Sequence, residues 1–175
     1  MKRIFRVIQF LCMAILFLSS PLSAMMIGMS TEELTRESEV VIRGEVAEVK
    51  SQWSEDGESI ITRANVTIKN IIKGKLVSDT ITVEYEGGEL EEIGLWVEDV
   101  SPLETGEDVI LFLKRSAESG KMRDAHSIVG SAQGQYRISK DGIAEKNGFS
   151  VISGESKIDN NLPVDELIDK IRRVK

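Results

Sequence analysis

Between Glu84 and Asp108 the chain places ten carboxylates in 25 residues, with no lysine or arginine among them. Clustered carboxylates and carbonyls on a flexible loop are the ligands that calcium takes. Glu89, Glu91, Glu92, Glu98 and Asp99 are therefore the candidate metal ligands, and calcium the candidate ion. No regular Asp-x-Asp-x-Asp-Gly loop accompanies them. The same run also reads as a solvated acidic face that keeps the chain soluble. A third reading is a docking surface for a basic partner, with Trp96 as its apolar anchor.

Other chemistry finds little to work with. His126 is the sole histidine, which excludes a histidine-rich zinc site. The single cysteine, Cys12, lies in the N-terminal apolar run and lacks the small-residue context of a lipidation site. A serine nucleophile on a Gly-x-Ser-x-Gly turn is not encoded. Gly87-Gly88 is followed by neither lysine nor a helix, so it does not read as a phosphate loop. No residue is assigned a catalytic role, and a non-catalytic protein is expected. Trp53 and Trp96 both fall near expected loops, as rim residues or as partner-binding anchors. Stacking of nucleic-acid bases on such aromatics needs a basic face, and the charge here has the opposite sign.

That sign sharpens once the leader is set aside. Lys2, Arg3 and Arg6 precede an apolar stretch, Val7 to Leu18, and a small-residue tail from Ser19 to Ala24 that includes Pro21. This is the layout of a secretory signal over residues 1–24. Export to a periplasm or the exterior is expected, with Met25 as the first mature residue. The alternative is an uncleaved anchor, because residues 7–29 carry no charge and are long enough to span a bilayer. Residues 25–175 then hold 19 basic and 29 acidic side chains, a net charge of −10. Neither nucleic acid nor an anionic membrane suits that surface. A protein partner does, and the length is that of one domain without disulfides.

The elements that must position these residues are mostly strands. Ser30 with Glu33 forms a capping box that opens a short helix ending near Glu37. From Val40 the apolar positions alternate through Ile42, Gly44 and Val46, then change phase to Ala47 and Val49, the mark of a bulge in a long, bent strand. "SEDGES" predicts a turn, Ile60 to Lys69 a second strand with Ala64, Val66 and Ile68 inward, "IIKGKLVSD" a break and "TITVEYE" a third strand. Val109 to Leu113 is nearly all apolar and so a strand buried on both sides or at the closure of the barrel. "AHSIVGSAQGQYRIS" and "GIAEKNG" read as two more strands around Lys140-Asp141-Gly142. Pro163 opens a C-terminal helix over 163–173 with Val164, Leu167, Ile168 and Ile171 on one face. The count predicts an all-β small barrel of five to seven strands with two peripheral helices.

"SEVVIRGEVAEVKS", a turn and then "RANVTIKNIIKG", Ser38 to about Lys75, resemble the opening strands of the tissue inhibitors of metalloproteinases, the netrin-like variant of the OB-fold. "GEDVILFL" falls where that family has a buried strand. The chain also resembles uncharacterised exported prokaryotic proteins with a Gly-Gly-Glu loop and a Gly-Glu before an apolar strand. The first resemblance implies an OB-like barrel and inhibition of an exported zinc protease through the free amine at Met25. The family uses a disulfide-held cysteine there, and this chain has none, so the fold carries further than the mechanism. An exported binding module of OB-like fold is the leading expectation, with the inhibitor and a calcium-binding envelope protein as alternatives.

Overall fold

Two strands of unusual length set the architecture. In the computed structural model, which describes residues 26–116, 125–148, 151–152 and 158–174, β1 (Met26–Ile27) and the capped helix α1 (Thr31–Glu37) lead into β2 (Val40–Trp53). β3 (Ile60–Lys73) returns antiparallel along the whole of β2. Fourteen residues in a strand extend for roughly 45 Å, more than one wall of a small barrel needs. Register shifts between Val41 and Ile42, Arg43 and Gly44, and Val46 and Glu48 bend the pair. The third shift lies at the expected change of phase, although Ala47 faces solvent there rather than the core. Gly44 is required at the bend, since a Cβ would stand 2.6 Å from both the Thr67 carbonyl oxygen and Val66 Cγ1.

β4 (Thr80–Glu86) pairs with the first half of β3, Ile61 to Thr67. β7 (Asp108–Arg115) pairs with Val40–Glu45 of β2, and β8 (Ala125–Ile128) joins β4 to β7. The ring β2-β3-β4-β8-β7 is closed, and the fold is an all-β, OB-like small barrel with two peripheral helices. From β7 the sheet continues outward through β9 (Gln135–Ile138), β10 (Ile143–Glu145) and β12 (Leu162–Pro163), which leads into α2 (Val164–Arg173). A separate parallel pair joins β1 to β11 (Val151–Ile152).

β7 explains its own apolar run. Val109, Leu111 and Leu113 point into the barrel with Ile42, Val66 and Val83, while Ile110 and Phe112 pack outward against Leu34, Tyr136, Leu167 and Ile171. The helices thus cover one outer wall, and β7 is buried on both faces.

Three differences from the sequence-based expectation have physical causes. The stretch expected as one strand over "AHSIVGSAQGQYRIS" is two, split by Gly130 in the left-handed region (φ 67°) and a 3-10 turn over Ser131–Gly134. β8 and β9 occupy successive parts of the same β7 edge, and the excursion between them frees β8 to reach β4 and close the ring. β3 runs four residues past Lys69 and stops only at Gly74, whose positive φ (86°) and close approach to the Glu39 carbonyl exclude a side chain. The C-terminal helix begins at Val164, with Pro163 at its N-cap.

Candidate functional site

The Gly87-Gly88 pair ends β4 and starts a small hairpin, β5 (Gly88–Leu90) and β6 (Ile93–Leu95), in a stretch that reads as loop in the sequence. The hairpin sits over Ser51 of β2 and Thr62 of β3, past the stretch of β2 that pairs with β7. Ser51 and Thr62 face each other across those strands with hydroxyls 3.0 Å apart, and Thr62 Oγ1 donates to the Gly87 carbonyl at 2.6 Å. Gly88 lies so close that a Cβ would fall 2.3 Å from Thr62 Oγ1 and 2.4 Å from Ser51 Oγ. Its φ of 133° is also one that only glycine adopts readily.

The segment after β6 returns across the barrel end. Leu103 is buried in the barrel core, and its N–H donates to the Tyr85 hydroxyl at 3.1 Å. Gly106 N–H donates to the Val46 carbonyl at 2.7 Å, and Val46 N–H to that of Glu107 at 2.9 Å. Arg137 fastens the same segment, donating to the Pro102 carbonyl at 2.7 Å and pairing with Glu107 at 2.8 Å. Burial pushes the Tyr85 phenol above its ordinary pKa, so it stays a neutral hydroxyl at any physiological pH.

Between hairpin and returning segment lies a cleft of about 330 Å³, lined by Val49, Thr62, Tyr85, Leu95 and Trp96 among others. Trp96 is 77% exposed at its edge, and Ile93 of the same hairpin is exposed as well. A second cavity of about 250 Å³ adjoins it and shares Tyr85, Glu86, Val97 and Val100 as walls. Ser101, Ser127, Ser131 and Gln135 line that second space together with Glu84 and Glu98. Gln135 is only 2% exposed, and neither end of its amide has a hydrogen-bond partner among the described residues. A buried amide in that condition costs about 1–3 kcal/mol.

The ten acids divide by position. Asp108 makes a two-point pair with Arg43 (2.9 and 3.2 Å) and lies 3.4 Å from Lys69. The hydrogen bond to Asp108 raises the Arg43 pKa further, and one to Glu45 raises that of Lys69. Glu84 pairs with Arg63 at 2.7 Å, and Glu107 with Arg137. These three acids bind neighbouring strands of the sheet together. Glu86, Glu89, Glu98 and Glu104 instead rim the two cavities. Glu91, with φ 55°, sits at the hairpin turn, and Asp99 offers its carbonyl to Ala132 N–H at 2.9 Å. Among the described residues no three His, Cys, Asp or Glu side chains converge as metal ligands, so Glu89, Glu91, Glu92, Glu98 and Asp99 are not brought together.

The two tryptophans part company. Trp96 borders the cleft, whereas Trp53, at the end of β2 and 46% exposed, is not in its lining. His126 lies within β8, in register with Val83 and Arg115. Met25 and the expected leader fall outside the described residues. The chain just after Met25 is tied down by Gln133, whose side chain accepts from Met29 N–H at 2.6 Å and donates to the Ile27 carbonyl at 3.0 Å.

Gln135 and Lys146 lie in segments that the sequence reads as strands, but nothing in those segments marks their polar side chains as buried. Lys146 is 4% exposed, its Nζ has no hydrogen-bond partner among the described residues, and it lies 4.5 Å from the centre of the Tyr136 ring. Burial lowers its pKa to about 8. The alternation that marks the β5–β6 hairpin was available in Gly88–Leu95, but the charged pair Glu91-Glu92 masks it.

A scan against protein-family models returns no match for this chain, and a search of curated proteins returns none either.

Proposed function

We propose that the protein is an exported, non-catalytic binding module that receives a segment of a partner protein in the cleft between the β5–β6 hairpin and the barrel end. The observation that carries this reading is Trp96. A large apolar side chain, 77% exposed, stands at the edge of a cleft of about 330 Å³ on a hairpin fixed by Ser51, Thr62 and Gly87. Exposed aromatics beside a preformed apolar recess are where binding energy concentrates. Capture of the partner from the host's exported fraction, compared between the native protein and Trp96→Ala, tests it. Loss of a captured protein on Trp96→Ala at unchanged thermal stability is expected; retention unchanged would overturn the reading.

One observation favours a second reading, a netrin-like inhibitor of a zinc metalloprotease acting through the Met25 amine. The Gln133 side chain holds Ile27 and Met29 by their backbone, a restraint of the sort that a terminal wedge needs. Adding one residue before Met25 blocks that amine as a metal ligand and leaves the Trp96 cleft untouched. Protease inhibition that survives the extension would exclude this mechanism.

A further inference from the structure

Resting on the reading of the Trp96 cleft as a binding site, we propose that the adjoining cavity is a subsite for a basic side chain, an arginine, of the bound segment. Glu84, Glu86 and Glu98 line it, and no lysine or arginine does. Glu84 is already paired with Arg63; Glu86, whose Oε1 accepts from the Ser59 hydroxyl at 3.0 Å, and Glu98 carry charge that no cation in the cavity lining offsets. Ser101, Ser127 and Ser131 line the cavity as well. Acidic residues alone would say only that the surface is solvated. Gln135 says more, since it lines the same cavity, is 2% exposed and has both ends of its amide unfilled.

A guanidinium group suits this donor and acceptor set. Its planar fork of N–H donors matches carboxylate and amide oxygens, and it is the least strongly hydrated of the side-chain cations. Gln135 Oε1 accepts from the guanidinium, and Nε2 donates to a carbonyl of the segment. The two cavities adjoin, with Tyr85, Glu86, Val97 and Val100 lining both. An extended segment presents residues i and i+2 on one face about 7 Å apart. The ligand is therefore an extended stretch with an apolar residue beside Trp96 and an arginine two positions away.

The probe is an acetylated and amidated heptapeptide of glycine and serine with leucine at its third position and arginine at its fifth. Its binding to the purified protein is followed by Trp fluorescence and calorimetry, beside versions carrying glutamine or glutamate at the fifth position. The arginine peptide is expected to bind about tenfold more tightly than the glutamine peptide and to weaken as salt is raised. Gln135→Leu should bring the arginine peptide down to the glutamine peptide's affinity without lowering Tm, because it also removes an unsatisfied buried amide. Glu98→Gln, at an exposed position, gives the same comparison where folding is not in question. Equal binding of the arginine and glutamine peptides, no effect of either substitution, or no binding at millimolar peptide would overturn the subsite. Trp96→Ala separates the two readings. If the two peptides bind the native protein equally and Trp96→Ala abolishes both, the cleft stands and the subsite falls; if Trp96→Ala changes nothing, the cleft itself falls.

Discussion

Lys146→Met should make the protein more stable at neutral pH, and by an amount that fades as the solution becomes alkaline. The lysine is 4% exposed with no hydrogen-bond partner for Nζ among the described residues. Burial is the largest cause of its lowered pKa, followed by the opposing pull of Asp159 and the repulsion of Lys170. In the folded state it titrates near 8, against 10.5 ordinarily. Below pH 8 both folded and unfolded chains carry the proton, so the folded state bears the whole cost of the buried charge, about 3 kcal/mol for a shift of this size. Between 8 and 10.5 the unfolded chain holds more protons, and stability rises with pH. About 2 kcal/mol of the cost is relieved by pH 9.5. The Tyr136 ring, 4.5 Å from Nζ, offsets part of it, a cation over an aromatic face being worth about 0.5–2 kcal/mol. Tyr136 acts in the opposite sense at higher pH. Its pKa is raised above the ordinary tyrosine value, chiefly by burial, so stability falls as pH climbs past 10. Tm should therefore be compared between wild type and Lys146→Met from pH 7 to 9.5. At about 2–4 °C per kcal/mol for a chain of this size, the advantage of the variant should shrink by about 4–8 °C. A gap that stays constant across that range would mean that Lys146 is equally charged in both states, and would refute the argument.

Gly88→Ala should cost about 1–3 kcal/mol and release the β5–β6 hairpin from Ser51 and Thr62; chemical denaturation gives the first, and altered Trp fluorescence the second. Gly44→Ala meets the Thr67 carbonyl and Val66 at the bend of β2, so a loss of similar size is expected without any change at Trp96. Ser30→Ala removes the acceptor for Glu33 N–H and half of the capping box, and should lower stability by about 1 kcal/mol on a denaturant curve.

Local chemistry was legible where one residue decides one feature. Ser30 and Glu33 specify the start of α1, and the apolar run of β7 has two buried faces because it lies between the barrel interior and the helices. Features that depend on distant partners were hidden. Nothing in "AHSIVGSAQGQYRIS" indicates that its two halves share one edge of β7 while the first must also reach β4. Lys146 falls in the expected strand "GIAEKNG", but its burial is imposed by Tyr136 and by Asn160, whose side chain accepts from Lys146 N–H at 2.7 Å and donates to its carbonyl at 3.2 Å. The acidic run foretold a charged rim, yet it could not show which acids have cations beside them. Trp96 was marked as an anchor from its place in that run, but the recess beside it comes from Val49, Thr62 and Tyr85 on three separate strands.

Among the described residues β4 and β8 are joined by two parallel residue pairs, Thr82 with Ala125 and Val83 with His126. Short parallel pairing at the end of a chain excursion is the least cooperative part of such a sheet, and it opens locally at a fraction of the free energy of global unfolding. Amide protons of β8 should then exchange with solvent sooner than those of β2 or β3. Ser127 and Ile128 of β8 also wall the cavity that Gln135 lines, so loosening of this seam would change the width of that cavity too.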